Sequence, residues 1–227
     1  MKILLSADTH GKIPEISGKI DLALIAGDFA KGDALRKMIF GKGNPEDAKK
    51  EIIDSSKEFL SKIKKLNSPI VVSLGNAEEF CKEEVIELLK EMNINYIKNG
   101  IIKIKGIKIL CIDFFVEEWW AKKYRPSRKD TIKRGRKNEE ELREALSKVE
   151  EVDIILSHLP PYGVLDMGKP NEYLKLEAGP IGSKILRKFI IEKKPKLVVC
   201  GHLHIPGKER LGKTLIINPG EKKIIEL

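Results

Sequence analysis

Short aliphatic runs punctuate the chain at Ile3–Leu5, Leu22–Ile25, Ile70–Leu74, Ile101–Ile104, Ile107–Ile112, Ile154–Leu156, Leu197–Val199 and Leu215–Ile217. Their shortness and β-branched content predict strands covered on both faces. Between several of them the apolar spacing becomes helical. Asn44-Pro45 supplies a cap and a first-turn proline, and Ala48, Ile52, Phe59, Ile63 and Leu66 mark the inner stripe that follows. Val85, Leu88, Leu89 and Met92 form a second stripe, with Glu83, Glu84, Glu87 and Glu91 as its solvated side. A third, Leu142, Ala145, Leu146 and Val149, follows Asn138 with Glu141 three residues on, close to a capping box. A fourth starts near Ser183, runs through Leu186, Phe189 and Ile190, and stops before Pro195.

Strand alternating with helix predicts α/β layering. Ile101–Lys105 and Gly106–Ile112 are joined too tightly for a crossover and read as a hairpin, so the sheet is mixed, or two mixed sheets pack together with helices outside. No repeat or linker divides residues 1–227, which are expected to form a single domain. The stretch Glu117–Lys137 lacks clear periodicity and reads as a long loop, a flap over about 117–137.

Composition adds two points. The chain has 227 residues, 41% hydrophobic and 34% charged, with no apolar run near membrane-span length, so the expectation is one soluble domain without a membrane partner. Three cysteines, none in a C-x-x-C, and a strand-like opening at Met1 with no leader predict a reducing, cytoplasmic setting. The net charge of +9 is concentrated. Lys122, Lys123, Arg125, Arg128, Lys129, Lys133, Arg134, Arg136 and Lys137 face only Asp130 as an acid, and the rest is close to neutral. Trp119, Trp120 and Tyr124 beside Arg125 and Arg128 offer stacking faces next to phosphate-gripping guanidinium groups, as a nucleotide or single strand requires. A solvated surface is the plainer reading of the same run.

The chemistry concentrates at strand ends. All four histidines lie just past aliphatic runs, within Asp8-Thr9-His10, Ser157-His158 and Gly201-His202-Leu203-His204, and Gly27-Asp28 and Gly75-Asn76 complete the set. Residues i and i+2 of an extended segment project to one side, so each Asp-x-His or His-x-His pair can address one place. Ligands of open α/β sheets bind at the carboxyl ends of strands. Seven N and O donors exceed what one ion needs and suit two ions sharing a bridging carboxylate. Taken singly, an Asp-x-His or a Gly-Asp is a turn or a helix cap; five blocks together are not.

The order Asp-x-His, Gly-Asp, Gly-Asn, His, Gly-His-x-His closely resembles the calcineurin-like metallophosphoesterases. Ser157-His158-Leu159-Pro160-Pro161 and the approach to Gly201-His202 look most like the Icc-related branch. The resemblance implies paired β-sheets flanked by helices. It implies a first metal on Asp8, His10, Asp28 and His204, and a second on Asp28, Asn76, His158 and His202, with Asp28 bridging. It further implies a phosphoesterase, more specifically a phosphodiesterase, using a metal-bridging hydroxide as nucleophile while Asn76 and His158 orient the phosphate. Mixed N/O donors suit Mn²⁺ first, with Fe, Co²⁺, Ni²⁺ and Zn²⁺ as alternatives. Arg125 and Arg128 are the candidate substrate contacts.

One departure matters. Many relatives read Gly-Asn-His-Asp/Glu at the third block, and the resemblance makes that histidine the leaving-group acid. This chain reads Gly75-Asn76-Ala77-Glu78, with no spare imidazole elsewhere. A missing general acid typically forfeits about 10²–10⁴ in rate. Two other functions therefore compete: a metal-dependent nuclease whose basic flap tracks a nucleic-acid backbone, and a non-catalytic scaffold that kept the fold.

Overall fold

The computed structural model describes residues 1–170 and 177–226. The first sheet is built from β1 (Lys2–Ser6), β2 (Leu22–Ala26), β3 (Ile70–Ser73), β4 (Asn95–Tyr96) and β13 (Lys223–Glu226). Its order is β13-β1-β2-β3-β4, parallel except for β13. The second sheet contains β5 (Gly100–Ile104), β6 (Ile107–Ile112), β7 (Ile154–Ser157), β10 (Leu197–Val199), β11 (Gly207–Leu211) and β12 (Thr214–Asn218). It runs β11-β12-β10-β7-β6-β5, with a parallel centre and an antiparallel hairpin at either edge. β8 (Met167–Gly168) and β9 (Gly179–Pro180) form a separate antiparallel pair.

The period of two in the strands builds three apolar layers. Ile3, Leu5, Leu22 and Leu24 of the first sheet meet Ile109, Cys111, Ile154, Leu156 and Val199 of the second between the sheets. The alternate residues Leu4, Ala23 and Ile25 face α2 (Pro45–Lys64) and α3 (Lys82–Glu91) through Phe59, Leu60, Val85 and Leu89. On the far side Leu110, Ile155 and Val198 face α5 (Lys129–Ser147) and α6 (Lys184–Lys193) through Leu142, Leu146, Leu186 and Phe189. The result is two packed mixed sheets between helices, as expected. α1 (Asp33–Ile39) and α4 (Glu118–Tyr124) complete the α-helices of the described residues, a 3-10 turn spans Glu78–Cys81, and no helix among them is long and apolar enough to cross a membrane.

The caps behave as their chemistry predicts at two helices. Asn44 accepts the Asp47 N–H ahead of α2, and Ser183 accepts the Leu186 N–H ahead of α6. The basic stretch does not. Glu117–Lys137 is not a loop but α4, a short turn and the first half of α5. Asn138 is accordingly no cap: it sits inside α5 and donates its amide to the Val116 carbonyl at 3.2 Å. Charged residues crowd this half of α5, and Gly135 occupies its inner side, where a helical stripe would carry a large apolar residue. The glycine is there for room, since a Cβ would meet the Glu118 nitrogen at 2.8 Å.

Candidate metal centre

Each predicted donor follows the carboxyl end of a parallel strand. Asp8 and His10 follow β1, Asp28 follows β2, and Asn76 follows β3, all from the first sheet. His158 follows β7, and His202 and His204 follow β10, from the second. The i, i+2 pairs are not extended, contrary to expectation. Asp8 (φ 54°), His10 (φ 46°), Asp28 (φ 51°), His202 (φ 76°) and His204 (φ 53°) are all left-handed. Non-glycine residues held there cost of order 1 kcal/mol or more each, and such strain gathers at functional sites.

The seven residues converge in two overlapping groups. Ligand atoms of Asp8, His10, Asp28 and His204 all lie within 4.8 Å of one another. His10 Nε2 and His204 Nε2 are 3.0 Å apart, and His10 Nε2 is 3.8 Å from Asp28 Oδ2. In the second group, Asn76 Oδ1 is 2.8 Å from His202 Nδ1 and 3.2 Å from His158 Nε2, and those two nitrogens are 3.2 Å apart. Asp28 belongs to both, because its other oxygen, Oδ1, lies 3.6 Å from His158 Nε2. His202 and His204 thus serve different groups, although they are two residues apart.

The electrostatics suit cations. His158 is fully buried, and its Nδ1 donates to the Ala26 carbonyl at 2.7 Å, which turns Nε2 toward Asn76 and Asp28. A backbone carbonyl behind the ring is the usual partner of a coordinating imidazole. Burial opposes charge on His158, yet Asp28, Asp8 and the Ala26 carbonyl outweigh it and hold its pKa above the ordinary value. Burial first, and His158 next, push His202 down to about 3. Burial also lowers His10, with His204 and then Arg36 of α1 adding to the effect. Burial disfavours the Asp28 carboxylate, but His158 and the Ala77 N–H (2.8 Å to Oδ1) prevail and keep it ionised. Asp8 Oδ1 accepts the His202 N–H at 2.8 Å, while Oδ2 is buried with no hydrogen-bond partner. A buried carboxylate oxygen without a donor calls for a positive partner. The lowered His10 and His202, the ionised Asp28 and the orphaned Asp8 oxygen fit divalent ions.

Several contributors carried no clear sequence signal. Glu78 is completely buried; Oε2 accepts the N–H groups of Asp28 (2.9 Å) and Gly75 (2.8 Å), and Oε1 that of Ala30 (2.9 Å). Burial, then the charge of Asp28, pushes its carboxyl up to about 7 against those three donors. With both oxygens committed to backbone, Glu78 latches the loops rather than serving as a proton donor. Gly27 and Gly75 let those loops touch: a Cβ on Gly27 would lie 2.5 Å from the Gly75 nitrogen, and one on Gly75 would run into Asp28 Oδ1. Phe114 packs its ring against His202 (5.2 Å) and His158 (5.9 Å). Arg125 closes α4 through its backbone N–H on Ala121, and Arg128 pairs with Asp130 at 3.6 Å on the surface. The lysines bordering the cleft beside His10 and His204 are Lys12, Lys222 and Lys223.

Solved structures share this architecture. Phosphopantetheinyl hydrolase from Mycobacterium tuberculosis superposes with a TM-score of 0.61 at 12% identity, covering 96% of this chain and 88% of that one. TT1561 of Thermus thermophilus gives 0.56 at 13% identity, covering 97% and 89%. Purple acid phosphatase PPD1 from yellow lupin seeds gives 0.51 at 13% identity, covering 97% of this chain but 43% of its own. At these identities the likeness speaks to fold alone. No curated protein matches the sequence. A family model described as calcineurin-like phosphoesterase matches residues 1–206. With the fold and the cluster of donors at the strand ends, that match makes this chain a member of the calcineurin-like phosphoesterase family.

Proposed function

We propose that residues 1–227 form one cytoplasmic domain that hydrolyses phosphodiesters with two divalent cations, Mn²⁺ foremost. The observation carrying this reading is the pair of donor groups joined through Asp28. Asp8, His10, Asp28 and His204 would hold one ion, and Asp28, Asn76, His158 and His202 the other. Two such ions, when bound, would supply Lewis-acid polarisation of a phosphoryl oxygen and an activated water near neutral pH. The chain's own residues supply the rest. The Asn76 amide NH₂ orients a phosphate oxygen, and Glu78 keeps Asp28 in place. The Ala26 carbonyl commits His158 Nδ1 and leaves only Nε2 for the ion, so His158 takes no part in orienting phosphate. The buried Ala77 methyl group donates no proton, so the reading favours esters whose leaving group departs unaided. Three buried, unpaired cysteines support the reducing compartment.

The test is hydrolysis of an activated phosphodiester with added Mn²⁺, before and after His158→Ala and Asp28→Asn. Turnover should fall at least about a hundredfold in either, an ordinary loss for a group acting on the transition state. Turnover that survives both substitutions would dismiss the mechanism. The bases on α4 and α5 favour a second reading, a nuclease gripping a nucleic-acid backbone. Oligonucleotide affinity would then fall steeply with salt; a flat response excludes it.

A further inference from the structure

Space around the centre is unequal. On the His202 side Phe114, Trp120, Leu159 and Ile181 close in on a slot of about 30 Å³, roughly the room of one water molecule. On the His10 and His204 side a cleft of about 980 Å³ opens directly from Asp8, His10 and His204. Of these two spaces only the cleft has room for a substituent larger than a few atoms. Its lining combines the apolar Ile13, Pro14, Pro206 and Pro219 with Lys12, Lys222 and Lys223 and the acids Glu15 and Glu221.

The lysines are held loosely. Lys12 Nζ meets Glu221 Oε1 at 2.6 Å, but the two side chains are 71% and 50% exposed. Lys222 Nζ donates to the Glu15 carbonyl rather than to a carboxylate. Exposed ion pairs contribute little, so a dianionic phosphate, which offers charge and several acceptors, displaces such partners readily.

We infer that the larger arm of the substrate lies in this cleft and bears a second phosphate, read by Lys12 and Lys222 while the arm's ring or sugar rests on the lining prolines Pro14, Pro206 and Pro219. The inference rests on the phosphodiesterase reading and names its substrate class: a diester with a phosphorylated, nucleotide-like arm.

The experiment compares two matched pairs on the Mn²⁺-loaded protein. For binding, thymidine 3′,5′-bisphosphate is titrated against thymidine 5′-phosphate. For turnover, the p-nitrophenyl ester of thymidine 5′-phosphate is compared with its 3′-phosphorylated form. In each pair the extra phosphate should tighten binding or lower KM by about tenfold, the effect of one to two exposed charge-assisted contacts. Lys12→Ala with Lys222→Ala should erase that ratio, acting through KM rather than kcat. Equal affinity of the wild-type protein for the two nucleotides overturns the inference, whatever its turnover. So does a preference that survives the double substitution and disappears in Lys133→Ala on α5. A preference in binding without turnover of either ester upholds the cleft and overturns the phosphodiesterase reading instead.

Discussion

Glu78 shows what a single residue does here that its neighbours in sequence do not announce. Asp8, His10, Asp28, Asn76, His158, His202 and His204 were legible because their atoms are metal-donor types at strand ends, and donor chemistry tolerates few substitutes. Their left-handed backbone was not legible, since φ is dictated by the tight packing of loops whose glycines each have an ordinary turn reading. Glu78 looked like a surface acid at the start of a helical turn, because only the folded chain brings the Asp28, Ala30 and Gly75 N–H groups to it. Glu78→Ala would leave three buried donors unanswered, at about 1–3 kcal/mol each before water enters. A loss of about 3 kcal/mol is expected, or roughly 6–12 °C in Tm for a chain of this size, measured by calorimetry. Glu78→Gln keeps one acceptor oxygen and should lose clearly less. Equal melting of Glu78→Ala and the wild type would show that the latch carries no strain between the loops.

At the level of elements, the buried aliphatic strands and the hairpin β5–β6 read cleanly because buried β-branched runs have few alternatives, whereas the short or exposed β4, β8, β9 and β11 were not seen. The helices over the basic stretch did not, since periodicity is invisible where the inward side is Gly135 and the outward one is uniformly charged. β13 was missed for a related reason: four residues with an alternating burial pattern give little signal without their partner β1. The join between α4 and α6 makes a sharper test. Glu117, 2% exposed, accepts from Ser183 Oγ (2.5 Å) and from the Lys184 and Ile185 N–H groups (both 3.1 Å), so a carboxylate sits on the positive end of α6. Ser183→Ala removes the helix cap and one partner of that buried charge, and about 1–3 kcal/mol should be lost in urea unfolding. An unchanged midpoint would mean that water replaces the hydroxyl.

Asp153, just ahead of β7, gives the pH-dependent counterpart. Its carboxylate accepts the Lys108 N–H at 3.0 Å and the Lys196 ammonium at 3.1 Å, and the first of these chiefly holds its pKa below 3.8. For an acid with a depressed folded pKa, the stabilisation is present above the unfolded value and fades as pH falls through the folded one. Asp153→Asn should therefore cost about 0.5–1 kcal/mol at pH 7, discounted for its partial exposure. The gap should close progressively below about pH 4. A constant difference across that range would assign the effect to packing.

The whole molecule has one feature that no single element carries. Three of the donor loops leave the first sheet and two leave the second, so the centre lies across the mouth of the seam between the sheets. The seam itself is apolar and closed by Ile3, Leu5, Leu156 and Val199, whereas its mouth gathers two carboxylates, four imidazoles and five strained residues. Hydrophobic burial holds the sheets together below; at the mouth, desolvated polar groups and left-handed backbone work against closure. Cations bound there would reverse the sign of that local balance and tie the sheets to one another. Binding to the folded state alone contributes about 2.7 kcal/mol per site when the free ion is at 100 times its Kd. For a chain of this length that corresponds to about 5–10 °C in Tm per site. Melting curves with EDTA and with increasing Mn²⁺ should therefore diverge in a concentration-dependent way. Asp28→Asn, which touches both groups of donors, should lose most of the gain, while substitutions on the α5 surface should keep it. Superimposable melts with and without chelator would mean that the seven side chains bind no ion tightly enough to matter for folding, and the strain at the mouth would then have to be offset by the protein alone.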